Sequence, residues 1–258
     1  MLANILVVAW TLTTTILYTL IIGIPVIIIA LFSKTGKLPY QIGRSWVWLI
    51  LKTNGIKVQS EGLEKIQRNK SYVFMSNHAS NLDSAAIVYT LKHTLRFVAK
   101  KSLAKIPVFG VAIRLLKMIV IDRNDTHGSR ETVNRVVKGL TGGISAVFFA
   151  EGTRSLDGKL QKFKKGGVVL ALKAQLPIVP ITVVGSYGLL PKKSLRIKPG
   201  VIKVIIGDPI ETVPYTEADR DLVLEKVRSV IRSNLEEAGP AFKIPPVMQA
   251  ETSSFPQG

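Results

Sequence analysis

Three regimes of apolar and polar positions follow one another along the chain. Residues 1–32 carry no charged side chain, and the run is longer than the ~20 residues a helix needs to cross a bilayer core. No basic stretch precedes it and no small-x-small site follows it, which argues against a cleaved signal peptide. Gly23 and Pro25 interrupt the run, so a kinked or re-entrant membrane helix is expected. The second regime is basic. Lys34, Lys37, Arg44, Lys52 and Lys57 precede the first acid, Glu61, and by the positive-inside rule they face the cytoplasm. Residues 42–50, with Trp46 and Trp48, have the pattern of a helix lying in the bilayer interface; the alternative is an amphipathic helix packed on a domain.

The third regime begins after Asn54-Gly55. Residues 72–75, 95–99, 118–121, 144–149, 178–184 and 201–206 read as strands, several of them continuous β-branched runs that suit burial on both faces. Pro177 and Pro180 point to an edge position or a rigid entry for the fifth of these. Val133, Val136, Val137 and Leu140 mark one helix, and residues 168–173 another. Thr216 to Asp219 reads as a capping box opening a last helix, with Leu222, Val223, Val227, Val230 and Ile231 turned inward. The alternation predicts an α/β fold: a mostly parallel sheet covered by helices, with an N-terminal hydrophobic membrane-associated helical segment. The chain divides into anchoring or interfacial helices over 1–55, an α/β domain over 56–238 and a polar, Pro-containing tail over 239–258, expected to be disordered. No internal repeat is present.

Composition narrows the partners. A hydrophobic share of 47% and a mean hydropathy of +0.29 are high for a soluble domain and agree with a membrane segment. The net charge of +18 implies an anionic partner: nucleic acid, anionic lipid or a phosphorylated substrate. Aromatic residues are only 7% and are not interleaved with the basic ones as in a single-strand binder, so nucleic acid is not expected. The absence of cysteine removes disulfides, zinc–thiolate sites and a thiol nucleophile.

Candidate chemistry gathers where predicted strands run out. His78 and Asp83 follow the first of these strands, residues 72–75. On a continuous helix they would point about 140° apart. They meet if Ala79 to Leu82 is a turn and Asp83 sits at a helix start, a position that Asp favours. The carboxylate would then hold Nδ1–H and leave Nε2 free to take a proton. The alternative is a loop histidine and a plain helix cap. A second cluster, Lys100-Lys101-Ser102, leads to Pro107 and Gly110, which suggest a shaped turn, and the next strand ends in Ile121-Asp122-Arg123. In the third, Glu151-Gly152-Thr153-Arg154, glycine permits close backbone approach and the guanidinium fork suits a phosphate; taken singly it also reads as a capped turn. Residues 176–181 could wall a slot for an acyl chain.

In order and spacing, Asn77-His78-Ala79-Ser80-Asn81-Leu82-Asp83, Lys101-Ser102-Leu103 through Arg123, Phe149-Ala150-Glu151-Gly152-Thr153-Arg154-Ser155 and Val179-Pro180-Ile181 resemble the four blocks of the glycerolipid acyltransferases. The first is the N-H-x4-D block, and the nearest likeness is to the bacterial 1-acylglycerol-3-phosphate acyltransferases. Ala150 stands where the family usually has Pro; this loosens the turn before Glu151 but removes no chemical group. The resemblance implies acyl transfer from acyl-ACP or acyl-CoA to the sn-2 hydroxyl of lysophosphatidic acid, giving phosphatidic acid. It implies His78 as general base, Asp83 as its orienting partner, and Lys101, Arg154 and Arg123 on the acceptor phosphate. Glu151, Gly152 and Thr153 would shape the acceptor pocket. Attack would be direct, with no metal, no cofactor beyond the thioester co-substrate, and backbone amides on the oxyanion. An acidic carrier protein and anionic membrane lipids suit the charge, and the expected location is the cytoplasmic face of the bacterial inner membrane. Two rivals stand beside this reading: the same chemistry on glycerol-3-phosphate or another lyso-lipid, and a non-catalytic basic membrane-binding protein, which would have no need of His78.

Overall fold

The structure, a computed structural model, describes residues 2–105, 109–121 and 136–242. Helix α1 (Leu2–Tyr18) passes through a π-helical turn, Thr19–Gly23, into α2 (Ile24–Phe32). Pro25 has no N–H to give, and its ring would strike the carbonyl one turn back, so the ladder widens just before it. The segment Asn4–Phe32 is apolar and long enough to cross a membrane, and only 11% of its most apolar stretch is buried. Helix α3 (Lys37–Thr53) folds back along it. Trp10 donates to the Thr53 carbonyl (3.2 Å), Thr11 to Asn54 Oδ1 (2.8 Å) and Trp46 to Thr19 Oγ1 (3.2 Å). The other side of α3 packs on the sheet layer through buried Tyr40 and Leu51. The helix thus packs on the domain, with Trp48 still 43% exposed.

Seven strands form one sheet: β1 (Ile56–Glu61), β2 (Val73–Ser76), β3 (Thr94–Lys100), β4 (Ile119–Ile121), β5 (Ile144–Phe149), β6 (Ile178–Val184) and β7 (Gly200–Ile206). Their spatial order is β1-β7-β6-β2-β5-β3-β4, and every neighbouring pair is parallel except β6–β7. The fold is therefore α/β with a mostly parallel, mixed sheet. Helices α4 (Leu82–Thr90), α5 (Phe109–Leu115), α6 (Gly166–Ala174), the short α7 (Ser186–Leu189) and α8 (Arg220–Ala238) complete the described elements. The pleat of β2 feeds two cores. Tyr72 and Phe74 join Leu82, Ile87 and Leu91 on the α3–α4 side; Val73 and Met75 join Val168, Val223 and Val227 on the α6–α8 side. Val73, Phe74 and Met75 are wholly buried. Each contributes about 1.5–3 kcal/mol by burial.

Four details depart from the pattern reading. Strand β1 was not expected: Lys57, Gln59 and Glu61 alternate along an edge strand with little apolar signal. β6 is not an edge strand but lies between β7 and β2. Pro180 is accommodated because pairing slips by one residue between Ile181↔Ile206 and Ile178↔Ile210, a bulge where no ladder N–H is required. On α8, Val223, Val227 and Ile231 are fully buried but Leu222 is 53% exposed, one residue off their stripe. Gly239–Phe242 continues as a 3-10 turn; the rest of the expected tail, and Val133, lie outside the described residues.

Buried Arg96 in β3 fastens the helix pair to the sheet. It donates to the Leu116 carbonyl (2.6 Å) and to the Thr35 carbonyl in the elbow before α3 (2.5 Å). Desolvation pulls its pKa down to about 10, with the nearby Tyr40 phenol opposing the shift. Arg96→Met removes two charge-assisted bonds and leaves two carbonyls unpaired, and should cost about 2–4 kcal/mol. Chemical denaturation of the full chain in detergent measures this; an unchanged midpoint contradicts the clamp.

Candidate active site

Because β2, β3, β5 and β6 run parallel, their carboxyl ends lie along one edge of the sheet, where polar turns are free of the ladder. β2 ends at Ser76, and Asn77 then turns sideways. Its amide donates to the Val183 carbonyl (2.9 Å) and its Oδ1 accepts the Val183 N–H (2.8 Å), so a side chain continues the pairing where the strand has stopped. The next residues form a tight turn into α4. Asp83, in the first turn of that helix, is fully buried. Its Oδ2 accepts the amides of Ala79 (2.7 Å) and Ser80 (2.8 Å) and lies 2.9 Å from His78 Nδ1. His78 and Asp83 therefore meet as the turn reading requires, and the carboxylate assigns the Nδ1 proton. Among the described residues Oδ1 of Asp83 is buried without a hydrogen-bond partner.

The imidazole is held on a second side by Phe149, stacked with centroids 3.7 Å apart and planes 12° from parallel. Among the described residues Nε2 makes no hydrogen bond, and the His78 side chain is 15% exposed. The result is an imidazole with one nitrogen fixed and the other presented at the sheet edge. Ser76 and Ser80 donate their hydroxyls to the Asn77 and Leu190 carbonyls, so neither is set up as a nucleophile.

The turn after β5 is stapled to this pair. The His78 N–H donates to Glu151 Oε1 (2.6 Å), the Gln161 N–H to Oε2 (3.0 Å), and the Ser155 N–H to the His78 carbonyl (2.9 Å). Glu151 is only 4% exposed, so both of its oxygens serve the architecture of the turn. Burial raises its pKa, against the two backbone donors, which lower it. Gly152 has φ 75°, a left-handed conformation that a side chain would strain. Arg154 is partly exposed and, among the described residues, meets no carboxylate; Thr153 is exposed. Lys192 reaches across from the segment after α7 and donates to the Arg154 carbonyl (2.9 Å).

Lys101 opens a 3-10 turn at the end of β3, on the same edge and two strands from β2. At Gly110, in the first turn of α5, a Cβ would collide with the Ala104 carbonyl oxygen; the turn expected at residues 106–108 lies outside the described residues. Arg123 and Pro107 lie outside the described residues. Residue patterns alone did not find Phe149, Asn77 or Lys192 as parts of the site. Phe149 stands in the third block and Asn77 in the first without an assigned role, and strand alternation turns Phe149 to the face opposite Phe148.

The chain matches the acyltransferase family over residues 57–184. It is 33% identical over 195 residues to a 1-acyl-sn-glycerol-3-phosphate acyltransferase of Limnanthes alba, covering 75% of this chain and 67% of that one. It is 32% identical over 182 residues to a chloroplastic 1-acyl-sn-glycerol-3-phosphate acyltransferase of Arabidopsis thaliana, covering 70% of this chain and 49% of that one. The chain thus spans about half to two-thirds of the length of these plant relatives. A solved 1-acyl-sn-glycerophosphate acyltransferase from Thermotoga maritima shares the fold, with a TM-score of 0.77, 24% identity, and coverage of 92% of this chain and 97% of that one.

The raised Glu151 pKa has a definite sign. A carboxyl that binds its proton more tightly in the folded than in the unfolded state loses stabilising effect as pH rises above the ordinary glutamate range. Thermal stability of wild type relative to Glu151→Gln should therefore fall as pH rises through the window above that range; a pH-independent difference contradicts it.

Proposed function

Since the chain belongs to the glycerolipid acyltransferase family, we propose that it transfers an acyl group from acyl-ACP or acyl-CoA to the sn-2 hydroxyl of 1-acyl-glycerol-3-phosphate, giving phosphatidic acid. The observation that carries this reading is the His78–Asp83 pair, with Nδ1 occupied and Nε2 without a partner among the described residues. His78 Nε2 takes the hydroxyl proton as the oxygen attacks the thioester carbonyl. The tetrahedral intermediate collapses with cleavage of the C–S bond, and the imidazolium returns the proton to the departing thiolate. Asp83 orients the ring and balances its positive charge during the step. Arg154 takes the acceptor phosphate in its guanidinium fork, with Lys101 and Arg123 as further cations. Gly152 and Thr153 border the acceptor, while Glu151 holds the turn that carries them.

The apolar helix indicates membrane association, and the basic residues that follow it favour the cytoplasmic face of a bacterial inner membrane. In lipid-reconstituted enzyme, His78→Ala should lose transfer by at least ~10²-fold while membrane binding survives. Arg154→Ala should raise KM for lysophosphatidic acid more than KM for the donor. Transfer at the wild-type rate in the His78 variant, or an unchanged acceptor KM in the Arg154 variant, contradicts the assigned roles.

A further inference from the structure

Residues 190–199, between α7 and β7, carry a charge and apolar pattern that the transfer chemistry does not use. No acid stands between Asp157 and Asp208, whereas lysines are frequent. Elsewhere in that interval Lys165 meets Asp221, Lys173 meets Glu217 and Lys203 meets Glu61, while Lys159, Lys162 and Lys164 beside the site turn are also without a carboxylate among the described residues. Among the described residues Lys192, Lys193, Arg196 and Lys198 meet no carboxylate. In their midst Leu195 is 65% exposed, while Leu190 and Ile197 are buried and pin the segment down. The apex is not loose. The Ser194 N–H donates to the Pro191 carbonyl, the Arg196 N–H to Ser194 Oγ, and Lys193 adopts φ 73°. A hydrogen-bonded turn thus displays one leucine ringed by cations.

An exposed leucine alone would mean nothing; its neighbours decide. At one end, the Gly200 N–H donates to the Gly55 carbonyl (3.2 Å), next to Thr53 and Asn54, which bond Trp10 and Thr11 of α1. The segment is therefore continuous with the base of the apolar helix pair, where Trp10 is 56% exposed. At its other end it touches the site twice, through Lys192 on the Arg154 carbonyl and the Leu190 carbonyl on Ser80. We propose that residues 190–199 are a second lipid-docking element, inserting Leu195 at the surface of an anionic bilayer while Lys193, Arg196 and Lys198 take headgroup phosphates. Docked so, the segment sets the His78 edge against the surface that supplies its acceptor, and transmits contact with anionic lipid to the Arg154 turn. Its adjacency to the helix pair favours a lipid surface over an acidic carrier protein as the occupant. The proposal rests on the membrane association inferred above, not on the transfer chemistry.

The chain has no cysteine, so Leu195→Cys accepts a single environment-sensitive NBD label. The full-length protein is reconstituted in phosphatidylcholine vesicles with and without phosphatidylglycerol, and a label at Ser233→Cys on α8 serves as control. The label at 195 should shift to the blue and be quenched by lipid-borne quenchers only when phosphatidylglycerol is present. K193E/R196E/K198E should raise the phosphatidylglycerol fraction at half-maximal shift by at least ~5-fold, the worth of about one surface cation. A label that stays aqueous on anionic vesicles, or that responds instead to an acidic carrier protein without anionic lipid, overturns the proposal. Transfer is assayed on the same labelled protein. Loss of the lipid shift with transfer intact defeats this inference alone; a lipid shift without transfer defeats only the catalytic reading.

Discussion

One carboxylate oxygen determines the shape of the sheet edge. Asp83 Oδ2 gathers two backbone amides and an imidazole within 2.9 Å, which is possible only if the chain bends sharply between His78 and α4. A buried carboxylate is expensive unless its lone pairs are filled. Here three donors, all on Oδ2, and the first turn of a helix offset part of that cost, while Oδ1 has no partner among the described residues. The cost of the buried charge and the geometry of the histidine are thus one problem with one solution. The oxygen that stabilises the turn is the oxygen that fixes the ring.

The surrounding contacts hold that bend in place. Asn77 substitutes a side chain for the missing rung of the ladder at Val183, and Glu151 receives the backbone amide of the histidine itself. The Ser155–His78 bond then makes the Arg154 turn a rigid neighbour of the imidazole. Parallel strand order is what allows this, since β2 and β5 deliver their turns to the same edge. On the far side of the domain, Arg96 gives the apolar helix pair a fixed relation to the sheet. Membrane-facing and catalytic parts accordingly belong to one rigid frame.

Much of this was legible in the residues. The six apolar runs became six strands because buried parallel strands show no polar face to confuse the pattern. The histidine–aspartate pair was legible through its spacing, which fits a turn but not a helix. β1 escaped because an edge strand with Lys57, Gln59, Ser60 and Glu61 exposes four of its six residues. Pro180 misled because a bulge, not an edge, spares its missing N–H. Lys192, and the stacking role of Phe149, were illegible for a different reason. Their contacts with His78 and Arg154 are tertiary, set by strand neighbours and a distant segment, and no local pattern encodes them. That both oxygens of Glu151 accept backbone donors of the turn is a fact about geometry rather than residue type.

The central claim is that Asp83 fixes the tautomer of His78 so that Nε2 is the basic nitrogen. The most direct test is the 15N NMR spectrum of protein labelled at its three histidines, with His78 assigned by its loss in His78→Gln. In the neutral ring, a protonated, pyrrole-type Nδ1 and an unprotonated, pyridine-type Nε2 are expected. A His78 whose proton resides on Nε2 would contradict it.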